Sequence, residues 1–281
     1  MQRPVRPFLK WAGGKSELAT HIAERLPTAR VLIEPFVGSG AVFLNTEYER
    51  YILSDINADL INVYTTLQDK GAAYIADAKA YFNQKANKES RYYRLRETFN
   101  KSNDSYERAL LFLYLNRHGY NGLCRYNRGG GFNVPFGQYK APYFPEDELH
   151  HFYLKARKAK FYCEDFKRTF SRARRGHVIY CDPPYVPLTS TAKFSDYSAG
   201  GFGPEDQEAL ASAAARVASR GIPVLISNHD TDVTRELYSE AHLSFFDVRR
   251  SISCNGAKRA KARELMAFFH NSEEDDGSVP N

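Results

Sequence analysis

Seven short runs of β-branched and apolar residues recur along the 281-residue chain, at 31–33, 51–53, 160–163, 178–181, 223–226, 243–248 and 265–269. Each is strand-length and mostly apolar, so each reads as a buried strand. Segments with helical spacing of apolar residues, at 17–26, 57–67, 204–220 and 231–240, fall between most of them. Such alternation predicts an open α/β sheet, a Rossmann-like fold whose ligands bind beyond the carboxyl ends of the strands. The alternation is interrupted once. Residues 71–99 are helical and polar, 107–115 apolar and helical, and 116–144 rich in Gly, Asn and aromatics with no clear period. Residues 68–144 therefore read as an inserted, helical and loop-rich subdomain between the two parts of a sheet domain, 1–67 and 145–270. Residues 271–281 hold Glu273, Glu274, Asp275 and Asp276 among Ser, Gly and Pro, and read as a disordered acidic tail.

No apolar window is long enough to span a membrane and no apolar leader follows the N-terminus, so a cytoplasmic chain is expected. Cys124, Cys163, Cys181 and Cys254 form no CxxC pair, which predicts reduced thiols and no metal site. The net charge of +6 becomes +10 without the four tail acids, a balance that favours a polyanionic partner. The insertion concentrates this character. From 108 to 145, Arg108, Arg117, Arg125, Arg128 and Lys140 interleave with many aromatics, and there is no Asp or Glu. Basic and aromatic side chains mixed in loops suit nucleic acid, since arginine pairs with phosphate or guanine while rings stack on bases. The alternative is a tyrosine-rich loop packed on the core. A second acid-free basic stretch, 249–263, either flanks the same groove or forms a solvated hairpin.

The segment VLIEPFVGSG (31–40) places a glycine turn between a strand and a helix, where glycine permits positive φ and close approach of backbone to a ligand. The next strand ends at Asp55, seventeen positions after Gly38. An acid there accepts hydrogen bonds from ribose hydroxyls in nucleotide-binding α/β folds, or caps the helix that begins near Asn57. With no third glycine the turn suits an adenosine-bearing ligand without phosphates. The sequence DPPY (182–185) follows the strand at 178–181. Two prolines can extend neither strand nor helix, so they fix a rigid turn at the ligand-binding edge. A carboxylate, rigid carbonyls and an aromatic face there match a planar group with an exocyclic amine: Asp182 and a proline carbonyl accept its N–H bonds and Tyr185 stacks on the ring. The other reading is a purely structural turn.

FLKWAGGK (8–15), EPFVGSG (34–40), NRHGYNGLCRYN (116–127), FNVPFG (132–137) and DPPY (182–185), in this order, resemble the Dam-type DNA adenine-N6 methyltransferases over roughly residues 7 to 270. The resemblance implies a seven-stranded methyltransferase sheet with a target-recognition subdomain. It also implies S-adenosyl-L-methionine as methyl donor, no metal, and double-stranded DNA as partner, with GATC as the site and a monomer as the working unit. By similarity Trp11, Lys15, Phe36, Gly38, Asp55, Asp165, Phe166 and Asp182 form the cofactor site, and Asp182, Pro183, Pro184 and Tyr185 the catalytic motif. Lys10 matches the reader of the first guanine, Tyr120 the aromatic that wedges into the duplex, and Leu123, Arg125 and Pro135 readers of later base pairs. Arg117, Asn121, Asn127, Tyr139 and Lys140 join them as DNA-contacting positions. The chain departs from some relatives at Gly129 to Gly131 and at Gln138, where charged residues can occur. SNHD (227–230) and RRSIS (249–253) also match, with His229 read as a structural residue at a strand end. Two rivals stand beside this reading: methylation of RNA or of cytosine N4 by the same amine chemistry, and a DNA-binding module that has lost transfer.

Overall fold

The computed structural model describes residues 4–186, 201–248 and 262–271. Residues 249–261, most of the basic stretch 249–263 and including RRSIS and Cys254, and the acidic tail from 272 onward lie outside the described residues. Seven strands form one sheet: β1 (Val31–Glu34), β2 (Arg50–Asp55), β3 (Ala159–Cys163), β4 (His177–Cys181), β5 (Val224–His229), β6 (His242–Val248) and β7 (Ala262–Phe269). Their spatial order is β3-β2-β1-β4-β5-β7-β6. The strands β1 to β5 pair in parallel, with Ile33 between Ile52 and Ile179, and β7 is antiparallel to both β5 and β6. Every expected strand is present. The strand β5 continues past its apolar run to His229 because Ser227 and Asn228, though wholly buried, find hydrogen-bond partners.

Alternate strand residues point to opposite faces. Leu32, Val178, Tyr180, Leu225 and Met266 join one buried cluster, while Ile33, Ile179, Cys181, Ile226 and Leu265 join another. Helices α1 (Ala19–Arg25), α2 (Ala41–Leu44), α3 (Ala58–Lys70), α4 (Ala72–Lys79), α5 (Glu89–Lys101), α6 (Ser105–His118) and α7 (Glu146–Ala156) contribute to the first cluster. Helices α8 (Phe166–Phe170), α9 (Pro204–Ala218) and α10 (Asp232–Leu237) cover the second. Sequence periodicity missed α7 and α8. The signal for α7 is chemical: Pro145 precedes Glu146, Asp147 and Glu148 in its first turn, where acids favour the positive end of the helix dipole.

The inserted residues share the first face's core. Tyr92, Phe99, Phe112, Phe132 and Val134 belong to the same cluster as Leu32 and Phe43. The helix α6 makes this possible, since every residue from Ala109 to His118 is buried and it packs between α3 on one side and α4 and α5 on the others. Most rings that sequence composition offered to nucleic acid are therefore core: Phe112, Tyr114 and Phe132 are essentially inaccessible, and Tyr126, Phe136 and Phe144 pack against them. Arg108 is likewise turned inward, and its Nη2 lies 2.6 Å from Asp59 Oδ1. Asp59, in the first turn of α3, also accepts from the Tyr126 hydroxyl at 2.7 Å. One carboxylate thus ties α3, α6 and the loop that carries Tyr126 together. Asp59→Ala should lower the unfolding free energy by about 3 kcal/mol, the scale for breaking a largely buried pair; urea denaturation measures it, and Asp59→Asn, which keeps an acceptor, should lose less.

Candidate active site

The strand order reverses at β1, with β2 on one side and β4 on the other, so the chain leaves these two strands in opposite directions and a crevice opens beyond their carboxyl ends. Both motif turns lie there: 34–40 follows β1 and 182–185 follows β4. The glycine turn is fixed from beneath. Asp55, ending β2, accepts from Gly38 N at 3.1 Å and from Asn57 N at 3.0 Å, while Tyr64 donates to the Gly38 carbonyl at 2.5 Å. Capping of α3 falls to Asn57, whose side chain accepts from Leu60 N, so the cap proposed for Asp55 belongs to its neighbour. Gly38 has φ of +46°, and a Cβ there would come within 3.1 Å of Trp11 Nε1. The indole therefore lies directly on the turn. Phe36 stacks on Phe166 with centroids 5.7 Å apart, forming an aromatic floor, and exposed Asp165 caps α8 by accepting from Lys167 N. Trp11, Phe36, Gly38, Asp55 and Phe166 thus converge on the crevice, with Asp165 at its rim.

The DPPY turn is held by a buried polar network. Gln207 Nε2 donates to the Pro184 carbonyl at 2.7 Å, Val186 N donates to Asn228 Oδ1 at 3.1 Å, and Asn228 is held in turn by Gln207 and Tyr238. His229 Nδ1 meets the Val186 carbonyl at 2.8 Å and its ring packs edge-on against Tyr185, in keeping with a structural residue at a strand end. Asp182 is less open than its motif suggested. Its Oδ1 lies 3.2 Å from Lys15 Nζ and accepts from Ser227 Oγ at 3.1 Å. The Lys15 ammonium also sits 3.7 Å from Glu264 Oε2 and 4.1 Å from the centroid of the Tyr185 ring, while the Tyr185 hydroxyl donates to Glu264. Burial raises the Asp182 pKa above the ordinary aspartate value, with Glu264 adding to the rise and Lys15 and Ser227 opposing it. Burial and the nearby Asp182 push Glu34, at the end of β1, well above the usual range, and its Oε1 is buried without a partner. Two carboxylates, Asp182 and Glu264, around one lysine leave this edge with acidic character, a setting that suits a cationic guest. Sequence reasoning missed Glu264, Gln207 and Ser227 as site residues. The available signal for Glu264 was a lone acid opening the apolar run of β7.

The insertion presents a second surface. Tyr120 is 50% exposed, and its N–H donates to the Pro135 carbonyl at 2.9 Å, which brings the expected wedge beside an expected base reader. Asn121 has φ of +52°, which turns the chain sharply after the wedge. Arg125 is exposed and oriented by Asn133, whose Oδ1 accepts from Nε at 2.8 Å. Lys10 lies over Tyr139 at 4.1 Å, Leu123 is half-buried nearby, and Lys140 is exposed. Gly129, Gly130 and Gln138 are exposed loop positions, as suits the departures noted there. Two residues sit otherwise. Asn127 turns its Oδ1 back to Gly129 N and Gly131 N and so closes its own loop, and Arg117 is only 8% exposed, set between Tyr143 and the charge of Glu148. The described residues hold no cluster of three His, Cys, Asp or Glu suited to a metal, and no helix among them is long and apolar enough to cross a membrane.

Residues 11–252, from the indole on the glycine turn to beyond β6, match the family model of the D12 class N6 adenine-specific DNA methyltransferases. The chain belongs to that family. It is 56% identical over 265 residues to the DNA adenine methylase of Vibrio cholerae, covering 94% of this chain and 96% of that one. It is 54% identical over 264 residues to the DNA adenine methylase of Escherichia coli (94% and 95%), and 52% identical over 265 residues to that of Serratia marcescens (94% and 98%). The protein is therefore an adenine-specific DNA methyltransferase with a mixed α/β methyltransferase sheet.

An ionised Asp182 would accept from an amine more strongly than a protonated one and would offset positive charge developing on the nitrogen, so methyl transfer should fall as pH falls through its raised pKa. Lys15→Met removes a charge that lowers this pKa and should move the acid limb of the kcat/KM profile to higher pH. Glu264→Gln removes a charge that raises it and should move the limb lower. Profiles of the two variants, measured on one duplex, check both signs.

Proposed function

We propose that this chain transfers the methyl group of S-adenosyl-L-methionine to N6 of adenine in GATC sites of double-stranded DNA, acting as a monomer in the cytoplasm. The observation that carries the reading is the meeting of the DPPY turn and the glycine turn across one crevice, with Lys10, Tyr120 and Arg125 on the adjoining surface. Bound S-adenosyl-L-methionine supplies an electrophilic methyl on a sulfonium. Trp11, Lys15, Phe36, Gly38, Asp55, Asp165, Phe166 and Asp182 hold it in this reading. The acidic edge formed by Asp182 and Glu264 favours such a cationic donor.

The target amine starts inside a paired, stacked duplex, so the adenine is flipped out. Tyr120 fills the gap or separates the strands, while exposed basic residues hold the backbone. Among the described residues nothing donates to the Pro183 carbonyl, and the Asp182 partners address Oδ1. Asp182 and the Pro183 carbonyl can therefore both accept from N6. Those bonds localise a nitrogen lone pair otherwise spread into the ring, and stabilise the positive charge that develops on it. The N6 proton lost after methylation lies beside Asp182, which its raised pKa makes a better acceptor than an ordinary aspartate.

Methyl transfer from labelled S-adenosyl-L-methionine to short duplexes, with the product base identified by mass, tests the reading. N6-methyladenine should appear in a GATC duplex and not in duplexes with one base pair changed; methylcytosine, or methylated RNA, would replace this reading with another. Asp182→Ala should abolish transfer while duplex binding persists. Arg125→Ala should relax discrimination at one base pair by about 1 to 3 kcal/mol; a uniform loss across all sequences would make Arg125 a phosphate contact.

A further inference from the structure

Asn116, in the last turn of α6, is 1% exposed, and its amide is used entirely on main chain. Its Oδ1 accepts from Lys10 N at 2.9 Å, and its Nδ2 donates to the Lys10 carbonyl at 2.7 Å and to the Gly122 carbonyl at 3.2 Å. Lys10 lies 106 residues earlier, outside any helix or strand. An amide that grips both the N–H and the C=O of one residue does what a neighbouring strand would do: it fixes position and orientation together. The Lys10 stem rests on Gly122, where an added Cβ would come within 2.3 Å of Lys10 Cβ, and the ammonium lies over Tyr139. Lys10 is thus anchored to the recognition insertion at backbone, stem and tip, although it arrives from the N-terminal segment. Arg125 is held elsewhere. Asn133 takes its guanidinium and donates its N–H to the Arg125 carbonyl at 3.0 Å, and no hydrogen bond of Asn116 reaches that loop.

We propose that Asn116 is a specificity-positioning residue, which locks Lys10 and the 120–123 turn into one unit so that the contact to the first base pair and the Tyr120 wedge meet DNA in fixed register. The inference rests on the reading of Lys10 as the residue that senses the first pair. It assigns to Asn116 no contact with DNA and no part in the chemistry. Its signature is a defect confined to one position of the site.

The test compares kcat/KM on a GATC duplex with duplexes changed at the first pair alone or at a later pair alone. Asn116→Ala should reduce first-pair discrimination at least about fivefold, the low end for loss of a specific base contact, and leave later-pair discrimination unchanged. Asn116→Asp keeps the shape and the acceptor for Lys10 N but loses both donors, and gives the same result should the alanine variant fail to fold. Gly122→Ala, which displaces the Lys10 stem from the other side, should reproduce it. Lys10→Ala should show the same loss, and adding Asn116→Ala to it should cause none further. Equal loss at every pair would overturn the proposal in favour of general loosening of α6. Intact first-pair discrimination in the Asn116 variants, with Lys10→Ala losing it, would overturn the positioning role alone. Intact discrimination in Lys10→Ala would overturn the reading of Lys10 and the proposal with it.

Discussion

Two parallel neighbours, β1 and β4, send their chains away on opposite sides, and among the described residues no crossover passes over the space between their carboxyl ends. Everything chemical in the molecule is arranged around that opening. The turn after β1 carries Phe36 and Gly38, the turn after β4 carries Asp182 to Tyr185, and the end of β2 supplies Asp55 as a brace under the glycine turn. The antiparallel β7 then brings Glu264 up beside Asp182 and Lys15 from the far side of β5, which a purely parallel continuation would not do. Sheet order thereby converts residues spread from 11 to 264 into one acidic, aromatic-floored crevice.

A turn with two prolines has lost two N–H groups and with them the usual means of fastening backbone. Here the fastening is taken over by side chains beneath it. Gln207, Asn228 and Tyr238 bond one another and hold the Pro184 carbonyl and Val186 N, while Ser227 bridges Tyr180 and Asp182. Each buried group left without its partner costs about 1 to 3 kcal/mol, so the network tolerates few alternative arrangements. Rigidity of this kind lets a carboxylate and a carbonyl wait in place for an amine, with little reorganisation at the moment of reaction.

The strands were legible because each centres on a short, mostly apolar or β-branched run, and the motif turns because glycine and proline punctuate them. The extension of β5 through Ser227 and Asn228 was not, because polar residues continue a buried strand only when distant partners such as Tyr180 and Gln207 satisfy them, and sequence spacing does not show those partners. The same limit explains Glu264, whose meaning depends on Lys15 and Tyr185 across the sheet. In the insertion, composition separated poorly between two uses of the same residue types. Arg125 and Tyr120 face outward, whereas Arg108 is held on Asp59, and Phe112 and Tyr114 are buried among Tyr92, Phe99 and Phe132. Helical periodicity could not divide them, since α6 is apolar at every position from Ala109 to Leu115.

That fully buried helix has a consequence for how such proteins can be rebuilt or diverge. Because α6 is shared between the sheet's first face and the inserted residues, the insertion is not a cassette that can be exchanged between related chains at two loop junctions. A graft would have to carry α3, α6 and the Asp59 knot as a block. The exposed loops around Tyr120, Arg125 and Gln138 lie outside this shared core, so they can change one residue at a time while the common scaffold stays unchanged.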